Sequence, residues 1–248
     1  MPGQPRHRRV LRYNLSEMSI PAEKADSRLM RQMFGVIAPR YDFITRVFSY
    51  GMDRRWKRKG VEMASMPERP VVLDLACGTG DFSKLVAERC PNAVTIAADL
   101  THGMLRLARS SGVAEAVCAD AMSLPFRSQA FDCVFIGYGL RNFPRLEKAV
   151  AEIKRVTRPG GLLVSLDFFL PRNPVLRQIY LAYLFLNGVF WGTVLHGRPR
   201  IYTYIPDSLR SFVSIDDFSS LLRRNGYGKV DARGFIFGGI ALHWAAKE

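Results

Sequence analysis

A chain of 248 residues, 48% of them apolar, can bury one sizeable core but is too short for two full catalytic domains and a linker. Lys and Arg number 36 against 22 Asp and Glu, a net charge of +14, and residues 1–60 hold 14 of the basic and 5 of the acidic groups; this end is drawn to a polyanion, nucleic acid or anionic lipid leaflet, and charge does not choose between them. Cys77, Cys90, Cys118 and Cys133 form neither a CxxC pair nor a Cys/His cluster, which argues against a zinc site or disulfide framework, leaves no metal expected, and fits a cytoplasmic protein with reduced thiols.

In chain order, residues 1–28 read as a basic flexible tail: Arg6, His7, Arg8, Arg9 and Arg12 precede no apolar run of the secretory kind. Between residues 70 and 170, short apolar runs alternate with helical periodicity, the pattern of a parallel sheet covered by helices on both faces. Strands are predicted at 71–76, 94–99, 116–118, 133–137 and 162–167, with helices at 81–89, 102–110 and 146–157. In the last helix Leu146, Ala149, Val150, Ile153 and Val156 recur at three- and four-residue spacings, and Pro159-Gly160-Gly161 stops it. Further on, a helix at 216–224 and strands at 229–237 and 240–245 are predicted, the two strands forming a hairpin across Gly238-Gly239 with an antiparallel strand at the sheet edge.

The first strand runs into Cys77-Gly78-Thr79-Gly80-Asp81 and a helix, where glycines let the backbone approach a ligand. Asp99 ends the second strand about 20 residues on, where a carboxylate can accept both ribose hydroxyls. A dinucleotide would call for a third glycine where Ser83 stands, and Asp81 would repel its pyrophosphate. The pattern instead suits a zwitterion such as S-adenosylmethionine, whose cationic groups tolerate Asp74 and Asp81. Asp120, ending the third strand, could reach an adenine amino group and the Ala121 amide a ring nitrogen; Asp74 is either a ligand or a buried carboxylate capping nearby amides.

This order of features resembles class I methyltransferases and implies a Rossmann-like fold with a seven-stranded, mostly parallel sheet and a C-terminal antiparallel hairpin. Residues 33–59 (MFGVIAPRYDFITRVFSYGMDRRWKRK), 131–161 (FDCVFIGYGLRNFPRLEKAVAEIKRVTRPGG), and the stretches YTYIPDSL and GGIALHW are similar to the menaquinone and ubiquinone biosynthesis C-methyltransferases. Gly139-Leu140-Arg141-Asn142 after the fourth strand is the most specific element. Departures from the family pattern are Cys77 for Gly, Gly137 for Ser or Ala, Gly35 and Asp167 for Asp and Glu, and Thr45 for Asn. The resemblance implies a single domain over 29–248, with a helical substrate cap at 29–65 and an apolar helical lid at 171–212, and a prenylated quinol as substrate. The leading expectation is demethylmenaquinol, with the benzoquinol precursor of ubiquinone, or an RNA, as alternatives; no nucleic acid is expected as a partner.

A quinone ring is electron-poor, so the methylated carbon must belong to the quinol, and a phenolic proton with a pKa near 10 needs a base or a cation to leave near pH 7. Arg141 is the leading candidate for that cation, with Asn142 orienting a ring oxygen, Tyr41 and Asp42 closing the pocket, and Gly137 as a cofactor contact. None of His102, His196 and His243 is placed by sequence as a base. Ile179–Leu195 is 17 residues without charge, interrupted by Asn187, Gly188 and Gly192. It reads as a helix packed over the sheet beside a prenyl tail, with peripheral contact to an anionic membrane as the second reading.

Overall fold

A computed structural model describes residues 27–248; the predicted tail lies outside these but for its last two residues. Three helices come first, α1 (Ser27–Ile37), α2 (Tyr41–Phe48) and α3 (Asp53–Met63). The sheet region runs β1 (Val71–Leu75), α4 (Asp81–Arg89), β2 (Val94–Asp99), α5 (His102–Ser110), β3 (Glu115–Cys118), β4 (Phe131–Gly137), α6 (Leu146–Val156), β5 (Thr157–Phe168). Then follow α7 (Pro174–His196), α8 (Tyr204–Arg210), α9 (Ile215–Arg224), β6 (Tyr227–Phe235) and β7 (Ile240–Lys247).

The seven strands form one sheet in the order β3-β2-β1-β4-β5-β7-β6, parallel except for β7, which is the Rossmann-like arrangement predicted. The chain steps outward from β1 to β3 and returns to the other side of β1 at β4, so a crevice opens beyond the carboxyl ends of β1 and β4. Alternation along the strands gives the core two large parts, beside a smaller cluster of Ala97, Ala116 and Val113 under Leu105 and Ala108 of α5. Val72, Phe135, Val164 and Leu166 face α1 to α4, α7 and α8, while Leu73, Val134, Ile136 and Leu163 face α6 and α9. Both strand faces are covered, which is why the runs are apolar throughout.

Three differences from the sequence reading concern the path of the chain. Helix α6 ends at Val156, with Thr157 already extended, two residues ahead of the pre-proline position; the Pro159-Gly160 segment extends β5 instead, opposite a register shift between Phe131 and Cys133 where a missing N–H is tolerated. The hairpin turn takes four residues rather than two: Ile236, Phe237 and Gly238 have φ of 48°, 55° and 88° and curl the chain ahead of Gly239. The antiparallel strand β7 lies inside the edge, between β5 and β6, and β6 forms the edge.

Helix α7 packs by one side only. Tyr180, Leu181, Leu184, Gly188 and Gly192 are buried, and the Tyr180 hydroxyl donates to the Gly239 carbonyl at 2.8 Å. A Cβ on Gly192 would stand 2.5 Å from the Arg198 carbonyl oxygen, so glycine there lets α7 lie against the chain that follows it. Leu184→Ala, at a fully buried position, is expected to cost about 2–5 kcal/mol, whereas Leu186→Ala, two positions on and exposed, changes stability by less than about 0.5 kcal/mol. Urea unfolding of the two variants checks the orientation of the helix.

Candidate active site

The carboxyl ends of β1 to β4 surround an open cleft. Its wall takes Leu75 to Gly78 from β1 (Cys77 excepted), Asp99 to Thr101 from β2, Ala119 to Ala121 from β3, and Gly137 to Gly139 from β4. Tyr41, Met30 and Phe34 close it from the N-terminal helices, and Asn142, Phe143 and Pro144 from the segment after β4. Of the residues predicted from sequence, the structure thus brings together Tyr41, Gly78, Asp99, Asp120, Ala121, Gly137 and Asn142.

Asp99 is the organising group on the cofactor side. Its Oδ2 accepts from the Gly78 N–H at 3.0 Å and its Oδ1 from the Thr101 N–H at 2.8 Å, which fixes both oxygens and leaves further lone pairs for hydroxyls. Burial raises its pKa. Asp120 accepts from the Met122 N–H at 2.9 Å. Gly78 has φ of 55°, and a Cβ there would stand 3.4 Å from the Tyr41 ring, so the loop meets the cap closely at this point.

Four of the predicted cofactor and cap residues stand behind the wall. Asp74 turns towards the start of α4, where its Oδ2 accepts from the Ser83 N–H at 2.8 Å and the Ser83 hydroxyl at 2.7 Å; it caps amides rather than facing the cleft. The Thr79 hydroxyl donates to Asp42 Oδ1 at 2.6 Å, so that pair pins α2 onto the glycine loop. Gly80 is needed for packing: a Cβ would come within 2.5 Å of Val113. Asp81, read from sequence as an acidic neighbour of the ligand, is engaged by Lys57 at 2.7 Å and Lys84 at 3.2 Å. Burial would raise its pKa, but the two lysines outweigh burial and lower it.

The segment after β4 is held more tightly still. Tyr138 has φ of 59°, a left-handed conformation disfavoured for a large side chain, and its N–H donates to the Leu166 carbonyl at 2.7 Å. A Cβ on Gly139 would stand 2.7 Å from that of Ala76, so only glycine lets the two loops touch. Arg141, predicted to meet the substrate, turns away from the cleft. Its Nη1 lies 2.9 Å from Asp167 Oδ1 and 2.9 Å from the Tyr138 carbonyl, and its side chain is 3% exposed. Asp167, fully buried, also accepts from the Leu140 N–H at 2.7 Å and the Phe168 N–H at 2.8 Å. Burial acts against the Arg141 charge, but Asp167, with Tyr204 and Tyr41, outweighs it and holds the guanidinium above its ordinary pKa. The reason for the departure from expectation is local: in the short 3-10 turn Leu140–Asn142, neighbouring side chains diverge, so Asn142 takes the cleft and Arg141 the core.

Sequence reasoning also missed Thr101, Met104, Phe143 and Met30, whose roles depend on tertiary proximity. At Gly137, a departure from the family pattern, a Cβ would stand 3.1 Å from Phe82 and 3.4 Å from Lys57, a tight fit. Among the described residues lining the cleft there are two carboxylates and no Lys, Arg or His. Glycine backbone at a strand end, a carboxylate with spare lone pairs, and acidic rather than basic walls fit a nucleoside carrying cationic groups, as S-adenosylmethionine does, and oppose a pyrophosphate. Burial pushes the Tyr41 phenol up despite the charge of Arg141, so its proton stays in place near neutrality.

Residues 22–247 match the model of the ubiE/COQ5 methyltransferase family. The demethylmenaquinone methyltransferase of Thermus thermophilus is 38% identical over 216 residues, covering 85% of this chain and 98% of its own. The ubiquinone/menaquinone biosynthesis C-methyltransferase UbiE of Geobacter sulfurreducens is 34% identical over 248 residues, 97% of this chain and 93% of its own. Among solved structures, a SAM-dependent methyltransferase of Thermotoga maritima, described as a possible histamine N-methyltransferase, matches with a TM-score of 0.62 at 18% identity, covering 88% of this chain and 99% of that one. The [4+2]-cyclase SpnF matches at 0.60 and 17%, covering 90% and 97%. These two likenesses establish the fold alone.

The buried Asp74 gives a pH test. Burial raises its carboxyl from 3.8 to about 7, so the folded chain keeps a proton that the unfolded chain releases, and stability falls as pH rises through that window. Asp74→Asn keeps an acceptor for Ser83 and is expected to gain on the wild type by roughly 1 kcal/mol per pH unit between about pH 4 and 7. Urea midpoints across this range read the gap; a gap independent of pH contradicts the assignment.

Proposed function

The chain belongs to the ubiE/COQ5 methyltransferase family, and we propose that it transfers a methyl group from S-adenosylmethionine to a ring carbon of a prenylated quinol, converting demethylmenaquinol to menaquinol. The observation that carries this reading is a single cleft on which Asp99 and Asp120 face Tyr41 and Asn142 across apolar walls of Met30, Phe34 and Phe143. Relatives named demethylmenaquinone methyltransferase support the choice of ring.

When bound, S-adenosylmethionine supplies the electrophilic methyl group. Asp99 accepts from the ribose hydroxyls, Asp120 and the Ala121 amide meet the adenine edge, and the bare backbone at Gly78 and Gly137 gives room for the nucleoside. Asp74, Thr79, Gly80 and Asp42 act from behind by fixing the loop. Asn142 spends its Nδ2 on the Tyr138 carbonyl at 3.3 Å, which leaves Oδ1 to accept from a ring hydroxyl. Tyr41 keeps its proton and donates. Arg141 touches no substrate in this reading. It positions Asn142 through its anchor on Asp167, and the ring proton leaves to water. Alignment of the ring carbon with the methyl group provides most of the remaining acceleration.

In this reading α1 to α3 form the cap over residues 29–65, the helices within 171–212 form the lid, and Met30, Phe34 and Phe143 receive the apolar tail. The enzyme works in the cytoplasm in peripheral contact with an anionic membrane, and no nucleic acid takes part.

The decisive assay is transfer of labelled methyl from S-adenosylmethionine to chemically reduced demethylmenaquinone and, in parallel, to the demethylated ubiquinol precursor, both in detergent. Label in the naphthoquinol is expected; label only in the benzoquinol overturns the choice of ring, and label in neither, with the cofactor bound, overturns the substrate class. Two variants separate the halves of the cleft. Asp99→Ala is expected to weaken cofactor binding about 10- to 100-fold, and Asn142→Ala to lower kcat about 10- to 100-fold with cofactor affinity retained. Calorimetric titration and steady-state kinetics read the two effects, and equal loss of cofactor affinity in both contradicts the assigned roles.

A further inference from the structure

Helix α7 has apolar side chains on the face that the protein does not cover. Val175, Ile179, Leu186, Phe190 and Val194 follow one another at four- and seven-residue spacings, which places them on a single stripe. They are exposed, Ile179 to 60%, Leu186 to 66% and Phe190 to 56%. The opposite stripe, Tyr180, Leu184, Gly188 and Gly192, is packed in the core. At its flank Phe43 of α2, 42% exposed, meets Trp191 edge to face at 4.9 Å. A contiguous apolar surface of this kind on a soluble chain marks a docking face.

The charges around the stripe name the occupant. Between Asp167 and Asp207 the chain carries four arginines, Arg172, Arg177, Arg198 and Arg200, and no acidic residue. Arg198 and Arg200, just beyond the C-terminal end of α7, are exposed and have no carboxylate partner among the described residues. Arg40, also exposed, lies close enough to His196 to act on its charge together with Arg198. The carboxylates next along the chain are engaged, Asp207 by Arg210 and Asp216 by Arg172. A second copy docked face to face would bring the same arginines together, whereas an anionic leaflet complements both the apolar stripe and its cationic rim.

We propose that the outward face of α7 docks the protein onto an anionic lipid bilayer, with the helix lying in the interface. At 23 residues α7 is long and apolar enough to cross a membrane, but its inner stripe is part of the core, and the Tyr180 bond to Gly239 ties it to the turn that enters β7. The proposal deepens the reading of a prenylated substrate: α2, which places Tyr41 on the cleft, also carries Phe43 on the docking face, so the cleft and the lipid surface share one short helix.

The test is co-sedimentation of the full chain with phosphatidylglycerol vesicles and with phosphatidylcholine vesicles. The wild type is expected to partition onto the anionic vesicles. The variant Ile179→Ser, Leu186→Ser, Phe190→Ser is expected to lose about 100-fold or more in partitioning, with an unchanged Tm and unchanged methyl transfer to a short-tailed, water-soluble quinol. Arg198→Gln with Arg200→Gln is expected to lower binding to the anionic vesicles alone. A triple variant that partitions like the wild type, or a wild type that ignores both vesicles, overturns the proposal. So does a wild-type dimer that the triple substitution converts to a monomer without any vesicle binding. Vesicle binding by a protein that methylates no quinol overturns the substrate reading and leaves the docking face standing, so the two failures are distinguishable.

Discussion

A buried ion pair, Arg141 with Asp167, sets the geometry on the substrate side. Neither charge tolerates the interior alone, since removing one partner of such a pair costs about 3–5 kcal/mol. Both are stabilised by what surrounds them. Asp167 accepts from two backbone amides as well as the guanidinium, and the guanidinium also donates to the Tyr138 carbonyl. The pair therefore ties the loop after β4 to the end of β5, holds Tyr138 in its unfavourable left-handed conformation, and presses Gly139 against Ala76. Asn142 reaches the cleft because Arg141 is anchored behind it.

The cofactor side depends on the same device in another form. Asp99 and Asp74 receive backbone amides from the glycine loop and from the first turn of α4, so the loop is shaped by carboxylates that it buries. The cap is fastened to that loop by the Thr79 to Asp42 bond and by Tyr41 lying over Gly78. Lys57 of α3, itself buried, completes the attachment through Asp81 and sits 5.4 Å over the Tyr138 ring. The two halves of the cleft are thereby linked through α2 and α3, which bears on how a soluble nucleoside and a lipid-borne ring come to one place.

Much of this was legible in the sequence because it rests on local pattern. Apolar runs and helical spacing located the strands and helices of the sheet region, and the Gly78, Asp99 and Asp120 positions follow from where strands end. What stayed hidden depends on direction. Arg141 and Asn142 are neighbours, and nothing in their spacing says which turns inward, because a 3-10 turn has no alternation to read. Helix α7 is apolar on both stripes, so periodicity could not separate the face that packs from the face that does not. Pro159 looked like a helix stop and proved to lie in β5, its missing N–H absorbed by a register shift. Asp74 had two readings of equal standing, and only Ser83 at 2.7–2.8 Å distinguishes the cap from the ligand.

Whether Arg141 acts through Asp167, as proposed, or on the ring itself is read by a double-mutant cycle with Arg141→Gln and Asp167→Asn. Stability in urea and kcat with the quinol are measured for both single variants and the double. Each single substitution is expected to destabilise the fold and slow methyl transfer, the double variant to be no slower than the worse single one, and cofactor affinity to stay close to that of the wild type. If Arg141→Gln abolishes methyl transfer while Asp167→Asn leaves it intact, Arg141 works on the substrate by itself and its role through Asp167 falls.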